Sequence, residues 1–330
     1  MITVYYRYGE IIVSKKLAVN EKIPDSVVWV DIQSESVLDS GQDDKKEIEQ
    51  QLKIEIPSSS EVWKNHVLNR LYMEDGVAYM TAALITKIES PYPETSAVTF
   101  ILTNDCLVTI RNIAPTSFNN FANRLLRPTE KFKNAGYVLE GLMEEIITRV
   151  AHNSEVVVDS LDKLSHSIFG AGEEVGKGQN ISQMMKDVLK SLGACADLNS
   201  KINESLHSIS RMLNFFKQGV SQDAELDNNI AILMNDAQFL SQQTSFLSDK
   251  ITFQLDATLG MINVEQNLII KIFSVVAVFF MPPTLVSSLY GMNFEYMPEL
   301  KWMYGYPAAI FLMVLCALTP YLYFRKKGWL

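Results

Sequence analysis

Two stretches near the C-terminal end, Phe273–Tyr290 and Gly305–Phe324, carry no charge, and nothing else constrains the fold so tightly. A hydrocarbon core about 30 Å thick takes about 20 apolar residues in helical form. Leu268–Ile272 extends the first stretch and admits one charge, Lys271, whose long stem can snorkel toward water. Pro282, Pro283, Pro307 and Pro320 fall inside these spans. They are tolerable in a membrane helix because neighbouring helices can satisfy the freed carbonyls. A helical hairpin buried in a soluble core is the competing arrangement, and two uncharged runs of this length argue against it. Arg325-Lys326-Lys327 follows the second span, so the positive-inside rule places that end in the cytoplasm. Two crossings return the N-terminal part to the same side and leave residues 291–304 facing outward.

Residues 1–266 read as a soluble, charged protein. The net charge of −9 and the lack of a Lys/Arg stripe exclude a nucleic-acid partner. Cys106, Cys195 and Cys316 are far apart and odd in number, which suits reduced thiols in a cytosolic setting. Met1–Val13 alternates polar and apolar residues and has none of the marks of a signal peptide. Strands are expected at Thr3–Val13, Ser26–Ile32, Val77–Thr86, Val98–Leu102 and Leu107–Arg111, the last two joined at Asn104-Asp105. Asp44–Ile54 and Glu61–Leu71 have helical patterns between them, with Pro57-Ser58-Ser59-Ser60 as a loop. From Ser117 onward the pattern is helical: Gly136–Phe169, broken by Gly170–Gly178, then Ile181–Lys217, then a third run from Asp223 with no strong breaker before Pro282. That third run is far longer than a globular helix and implies a stalk entering the membrane.

Several chemistries drop out. Residues 171–178 approach a phosphate-binding loop, but Ala171 and Gly178 stand where Gly and Ser/Thr are needed, and Glu173 and Glu174 would repel phosphate. His66, His152, His166 and His207 show no metal-ligand spacing. No catalytic constellation is visible, so the expectation is a protein that is not an enzyme and has no cofactor.

Read at alternating spacings of three and four, the third run presents Asp256, Gly260, Asn263, Asn267, Ile270, Ser274, Ala277, Met281, Thr284 and Ser288. A coiled-coil seam would carry Leu, Ile or Val there. This seam carries an acid, amides, hydroxyls and small residues, which favours a wet pore lining over a dry helix contact. Two spans cannot enclose a pore alone, so several copies around an axis are implied. The run ends at Gly291-Met292-Asn293, a short polar turn between two spans. Mg²⁺ dehydrates reluctantly, and a ring of Asn293 amides with backbone carbonyls at Gly291 would hold its waters rather than strip them. Glu295 and Glu299 in the outer loop would either concentrate cations or merely keep the loop soluble. Ser221–Glu265 is acidic, and Asp223, Glu225, Asp227, Asp236, Asp249 and Asp256 are candidates for a regulatory divalent site or a solvated helix face.

Gly291-Met292-Asn293 between two C-terminal spans, preceded by Phe280-Met281-Pro282-Pro283-Thr284-Leu285 and followed by Met297-Pro298-Glu299-Leu300-Lys301-Trp302, resembles the CorA family of divalent-cation channels in its proteobacterial form. So does the ending Tyr321-Leu322-Tyr323-Phe324 with Lys326-Lys327-Gly328-Trp329. The resemblance implies an α+β membrane protein that forms a homopentameric funnel. Its expected parts are a cytoplasmic α/β domain (1–135), a helical stalk (136–266), a pore helix (267–290), a periplasmic loop (291–304), a second membrane helix (305–324) and a basic cytoplasmic tail (325–330). It implies Mg²⁺ as substrate and regulatory ligand, with Co²⁺ and Ni²⁺ also passing, in the bacterial inner membrane. Asn293 would bind the hydrated ion, the Met281 level would form an apolar constriction, Asn267 and Asp256 would line the inner path, and Arg325 to Lys327 would form a basic ring. A zinc transporter of the same superfamily and a non-conducting membrane-anchored sensor are the alternatives.

Overall fold

The structure, a computed structural model, describes residues 1–17, 21–33, 48–57, 71–88, 93–128, 131–174, 181–220, 223–293, 295 and 297–327. It falls into two units: Met1–Gln179 with Lys186–Leu255, and Asn180–Met185 with Asp256–Leu330.

The first unit is built on a seven-stranded sheet. Its strands are β1 (Ile2–Tyr8), β2 (Ile11–Leu17), β3 (Val27–Gln33), β4 (Leu71–Glu74), β5 (Val77–Thr86), β6 (Glu94–Leu102) and β7 (Leu107–Arg111), in the order β2-β1-β3-β7-β6-β5-β4. Every neighbouring pair is antiparallel except β3 and β7, which run parallel with Val30 opposite Val108. β7 is buried along its whole length and β3 at all but its last residue, as a strand covered on both faces must be. The expected strand Thr3–Val13 is two strands, because Gly9 turns the chain at φ 63°. Asp75 (φ 48°) and Gly76 (φ 80°) make the same kind of turn between β4 and β5, so Leu71 belongs to a strand rather than to a helix. The rest of the expected helix Glu61–Leu71 lies outside the described residues, as do residues 44–47 of the other; residues 48–52 are helical and Lys53 ends them at φ 50°.

Period-two alternation sorts the core into layers. Val30, Ile32, Val108 and Ile110 meet Ile48, Ile54 and Ile56 on one face. On the other face Trp29 stacks on Tyr5 at 4.5 Å and meets Phe121 edge-on at 5.4 Å. Phe121 lies on α1 (Thr116–Leu125), which precedes three long helices, α2 (Ala135–Glu174), α3 (Ile181–Gly219) and α4 (Ala224–Tyr290), and a last one, α5 (Gly305–Lys326). α2 runs through Gly170, so the expected break at Gly170–Gly178 is wrong at its start; residues 175–180 lie outside the described ones. β5 outruns β4, and among the described residues no strand pairs with its far half on that side. α3 covers that edge: Ser205 Oγ donates to Ala83 O (2.7 Å) and Ala83 N donates to Ser208 Oγ (2.9 Å).

Within this unit α4 buries Leu226, Ile230, Leu233, Ala237, Leu240, Thr244, Leu247 and Ile251, spaced by four and three in turn. Polar bonds fix its register. Asn199 Nδ2 donates to Thr244 O and to Ser248 Oγ (both 2.9 Å), and Gln254 Nε2 donates to Leu161 O (2.9 Å). α1 and α2 close on each other at Gly141, where an added Cβ would stand 2.6 Å from Phe132 Cε1 and 2.8 Å from Phe121 Cε2. Gly141→Ala should therefore destabilise this unit by about 1–3 kcal/mol through overpacking, read as a lower urea midpoint at unchanged slope.

Candidate functional site: the α4 stripe and the Gly-Met-Asn turn

α4 has no proline before Pro282 and one internal glycine, Gly260, so nothing stops the helix that Asp223 starts. Asp223 Oδ1 caps it, accepting the N–H of Glu225 at 2.9 Å. Pro282 and Pro283 lie inside the helix and remove two amide donors, which frees the carbonyls of Val278 and Phe279. Two turns later, at Tyr290, the helix ends. Gly291 N–H still reaches Ser287 O (3.0 Å), and Met292 N–H reaches only Leu289 O (3.4 Å). Gly291 does not take a left-handed φ; its glycine is favoured by closeness, since a Cβ would lie 3.3 Å from Ser287 O.

All ten stripe positions, Asp256, Gly260, Asn263, Asn267, Ile270, Ser274, Ala277, Met281, Thr284 and Ser288, are exposed on α4. So are Gly291, Met292 and Asn293. Two of the hydroxyls are turned inward: Ser274 Oγ donates to Ile270 O (2.8 Å) and Thr284 Oγ1 to Phe280 O (2.7 Å). With their protons engaged, these oxygens offer only lone pairs to what lies beside the helix. The Asn293 side chain makes no hydrogen bond among the described residues. A hydrated cation points its water hydrogens outward, so acceptors without competing donors match it in sign. Glu295 is exposed; Glu299 falls on a single 3₁₀ turn, Pro298–Lys301.

The regulatory candidates are not gathered. Asp223 Oδ2 and Glu225 Oε2 both accept from the Tyr137 hydroxyl (2.9 and 3.2 Å), and Lys133 Nζ donates to Glu225 at 3.2 Å. The Tyr137 bond holds the Asp223 carboxyl below its usual range, while burial first and then these two carboxylates push the Tyr137 phenol up. These two acids thus fasten the start of α4 to the start of α2. Asp227 Oδ1 is buried without a bonding partner, and Asp236 and Asp249 are exposed further along. No three His, Cys, Asp or Glu among the described residues are grouped to hold a metal ion.

The stripe reading begins at Asp256 and so passes over a line upstream of it. Ile232, Phe239, Phe246 and Phe253 recur every seventh residue and are 51, 68, 66 and 62% exposed, Phe253 stacking on Phe169 of α2 at 6.2 Å. In the second unit the apolar surface is open too. No described residue from 259 to 327 is buried, and Phe273, Met281 and Leu285 are 68–69% exposed. Trp302, Tyr304 and Tyr306 flank the start of α5 with exposed rings, as at a membrane–water boundary. Arg325 and Lys326 lie in its last turn, where the helix dipole favours cations.

An α/β unit outside the bilayer, one helix that leaves it and becomes long and apolar enough to cross a membrane, and a second such helix after a polar turn define a two-span membrane protein. The family model described as CorA-like Mg2+ transporter protein matches residues 24–326, and the chain belongs to that family. It is 31% identical over 320 residues to the magnesium transport protein CorA of Haemophilus ducreyi, covering 96% of this chain and 97% of that one. The fold is that of the complete CorA magnesium transporter from Methanocaldococcus jannaschii (TM-score 0.76, 18% identity, 100% of this chain and 99% of that one). The ZntB cytoplasmic domain from Vibrio parahaemolyticus shares it more loosely (TM-score 0.58, 10% identity, 79% of this chain and 97% of that one).

Proposed function

We propose that this chain is the subunit of a homopentameric Mg²⁺ channel of the bacterial inner membrane, with both termini in the cytoplasm. The observation that carries the proposal is the exposed, acceptor-rich stripe of α4 ending at the unbonded Asn293. Five copies of α4 around an axis turn that stripe into a pore wall and the turn into a ring of amides. The exposed line Ile232, Phe239, Phe246 and Phe253 supports self-association, because parallel copies of one helix present a seven-residue repeat at equal heights and cover it mutually.

The ring at Gly291, Met292 and Asn293 holds the waters of the entering ion. This spares the dehydration that Mg²⁺ resists. Glu295 and Glu299 raise the local cation concentration outside. Below, Thr284, Ser288 and Ser274 offer lone pairs, Met281 narrows the path, and Asn267, Asn263 and Asp256 line the exit. The membrane potential supplies the drive, about 4.6 kcal/mol per 100 mV for a divalent ion, enough for accumulation of roughly a thousandfold. Co²⁺ and Ni²⁺, of like charge and hydration, pass by the same route. Closure follows from Mg²⁺ binding on the cytoplasmic side. Since no single chain gathers three acids among the described residues, we place that site where carboxylates of adjacent copies meet, with Asp249 and Asp256 as contributors.

Zinc is the second reading, and the ZntB likeness bears on fold alone. Magnesium is favoured because the relatives at 31% identity are named for it. Reconstituted in liposomes holding a Mg²⁺ dye and a chelator that keeps internal Mg²⁺ low, the protein should admit Mg²⁺ under an inside-negative potential. Excess Zn²⁺ should leave that entry largely intact. Entry of Zn²⁺ alone would select the zinc reading, and silence to both ions would leave the non-conducting sensor.

A further inference from the structure

The soluble unit holds a cleft of about 240 Å³ between the end of β5, the first turn of α1 and the middle of α2. Nothing in ion conduction uses it, and its chemistry is opposite to that of the pore. We propose that this cleft is a binding site for a phosphate-type oxyanion, free or carried on a small metabolite.

Three independent features converge there. The first turn of α1 opens onto the cleft, with Pro115 at the cap position giving no side-chain bond and no acidic residue following it. Thr116 and Ser117 therefore begin the helix with free amide donors, and the helix dipole adds partial positive charge at the same point. Arg149 lines the opposite wall, half-buried, with no ion pair or hydrogen bond among the described residues. A half-buried guanidinium without an acceptor is a costly arrangement that an oxyanion relieves by charge-assisted bonds.

Asn153 decides the case. It follows Arg149 by one turn on the same face of α2, lines the cleft, and is only 2% exposed. Its Oδ1 has no hydrogen-bond partner, and its amide makes no bond elsewhere among the described residues. A buried polar group without a partner costs about 1–3 kcal/mol, which a ligand bonded to this amide would offset. Oδ1 is the buried end of the amide, so its N–H₂ is what it presents, to a phosphoryl oxygen. Lys87, at the rim, is paired with Glu94 at 2.9 Å, so the pair leaves the mouth without net charge. Ile146 and Val150 form an apolar wall beside these donors, suited to the organic part of a phosphate ester.

The test uses the full-length protein in lipid nanodiscs, free of Mg²⁺ and with chelator present, so that no anion binds through a metal in the pore. Inorganic phosphate and adenosine monophosphate are titrated separately by calorimetry. At least one should bind saturably. Arg149→Gln should weaken that binding at least tenfold. Asn153→Leu should weaken it equally and unfold at no lower temperature, because it deletes an unpaired buried amide. Equal affinity for the two anions identifies free phosphate as the ligand, and much tighter binding of the nucleotide identifies a phosphate ester. Absence of saturable binding by both, or binding unchanged in both variants, overturns the proposal.

Discussion

Asn293→Ala should reduce Mg²⁺ entry into proteoliposomes by at least about a hundredfold. The side chain is exposed and makes no hydrogen bond among the described residues, so its loss should leave the fold intact and remove only what it offers an ion. Each amide lost from the ring forfeits a water-mediated hydrogen bond of about 0.5–1.5 kcal/mol. In the proposed five-fold ring these losses fall on one ion at once. Even two or three of them reach the roughly 2.7 kcal/mol that a hundredfold rate change requires. The measurement is initial uptake rate at fixed potential, with pentamer elution in size-exclusion chromatography as the check on assembly. Asn293→Asp should behave differently. It keeps the acceptors and gathers negative charge, so ions enter readily but leave slowly, and the apparent affinity rises as the maximal rate falls. Parent-like uptake by Asn293→Ala would remove the turn from the conduction path.

The features that make up the candidate site are local signals. Two uncharged spans, a three-residue turn and a polar seam at heptad spacing can each be recognised without knowing what they touch, and α4 and α5 carry all of them. Sheet pairing is not local. The parallel contact of β3 with β7 joins segments about eighty residues apart, and no pattern within either strand announces it. The missed turns at Gly9 and at Asp75-Gly76 show a different limit. Both positions carry turn residues, but the apolar alternation around Gly9 continues across it and masks the break. Gly170 errs the other way. A glycine inside a helix costs only about 1 kcal/mol, and the burial of Val157, Leu161 and Ile168 on the preceding turns of α2 outweighs it.

The roles of the acids on α4 were the least legible of all. A carboxylate that caps a helix, one that accepts from a tyrosine and one that waits for a metal look identical in sequence. Asp223 proved to do the first two. The distinction lies in Tyr137, far away in the chain, so only three-dimensional proximity makes it.

Asp31→Ala should lower the apparent melting temperature of the soluble unit by about 6–20 °C. Asp31 and Arg111 are each 5% exposed, and they meet through two parallel bonds, Nε to Oδ1 at 2.9 Å and Nη2 to Oδ2 at 2.7 Å. Thr109 Oγ1 donates to the same carboxylate (2.9 Å) and accepts from Trp29 Nε1 (3.0 Å). The Arg111 guanidinium also lies 4.7 Å from the Phe118 ring centroid, which ties the β3–β7 pair to α1. Burial, reinforced by the Asp31 charge, pushes the nearby Tyr5 hydroxyl up to about 12, so this phenol stays neutral at any working pH. Removing Asp31 alone strands a guanidinium in an apolar layer, which costs about 3–5 kcal/mol. For a unit of this size each kilocalorie shifts the midpoint by about 2–4 °C. Replacing both partners by apolar residues of similar volume, Asp31→Leu with Arg111→Met, should recover most of the loss, because no charge is then left without a partner. Far-ultraviolet circular dichroism reports the transition, and tryptophan fluorescence, to which Trp29 contributes with three others, supports it. A single variant that melts with the parent would mean that water or a neighbouring group replaces the carboxylate, and the pair would then have no special part in holding α1 against the sheet.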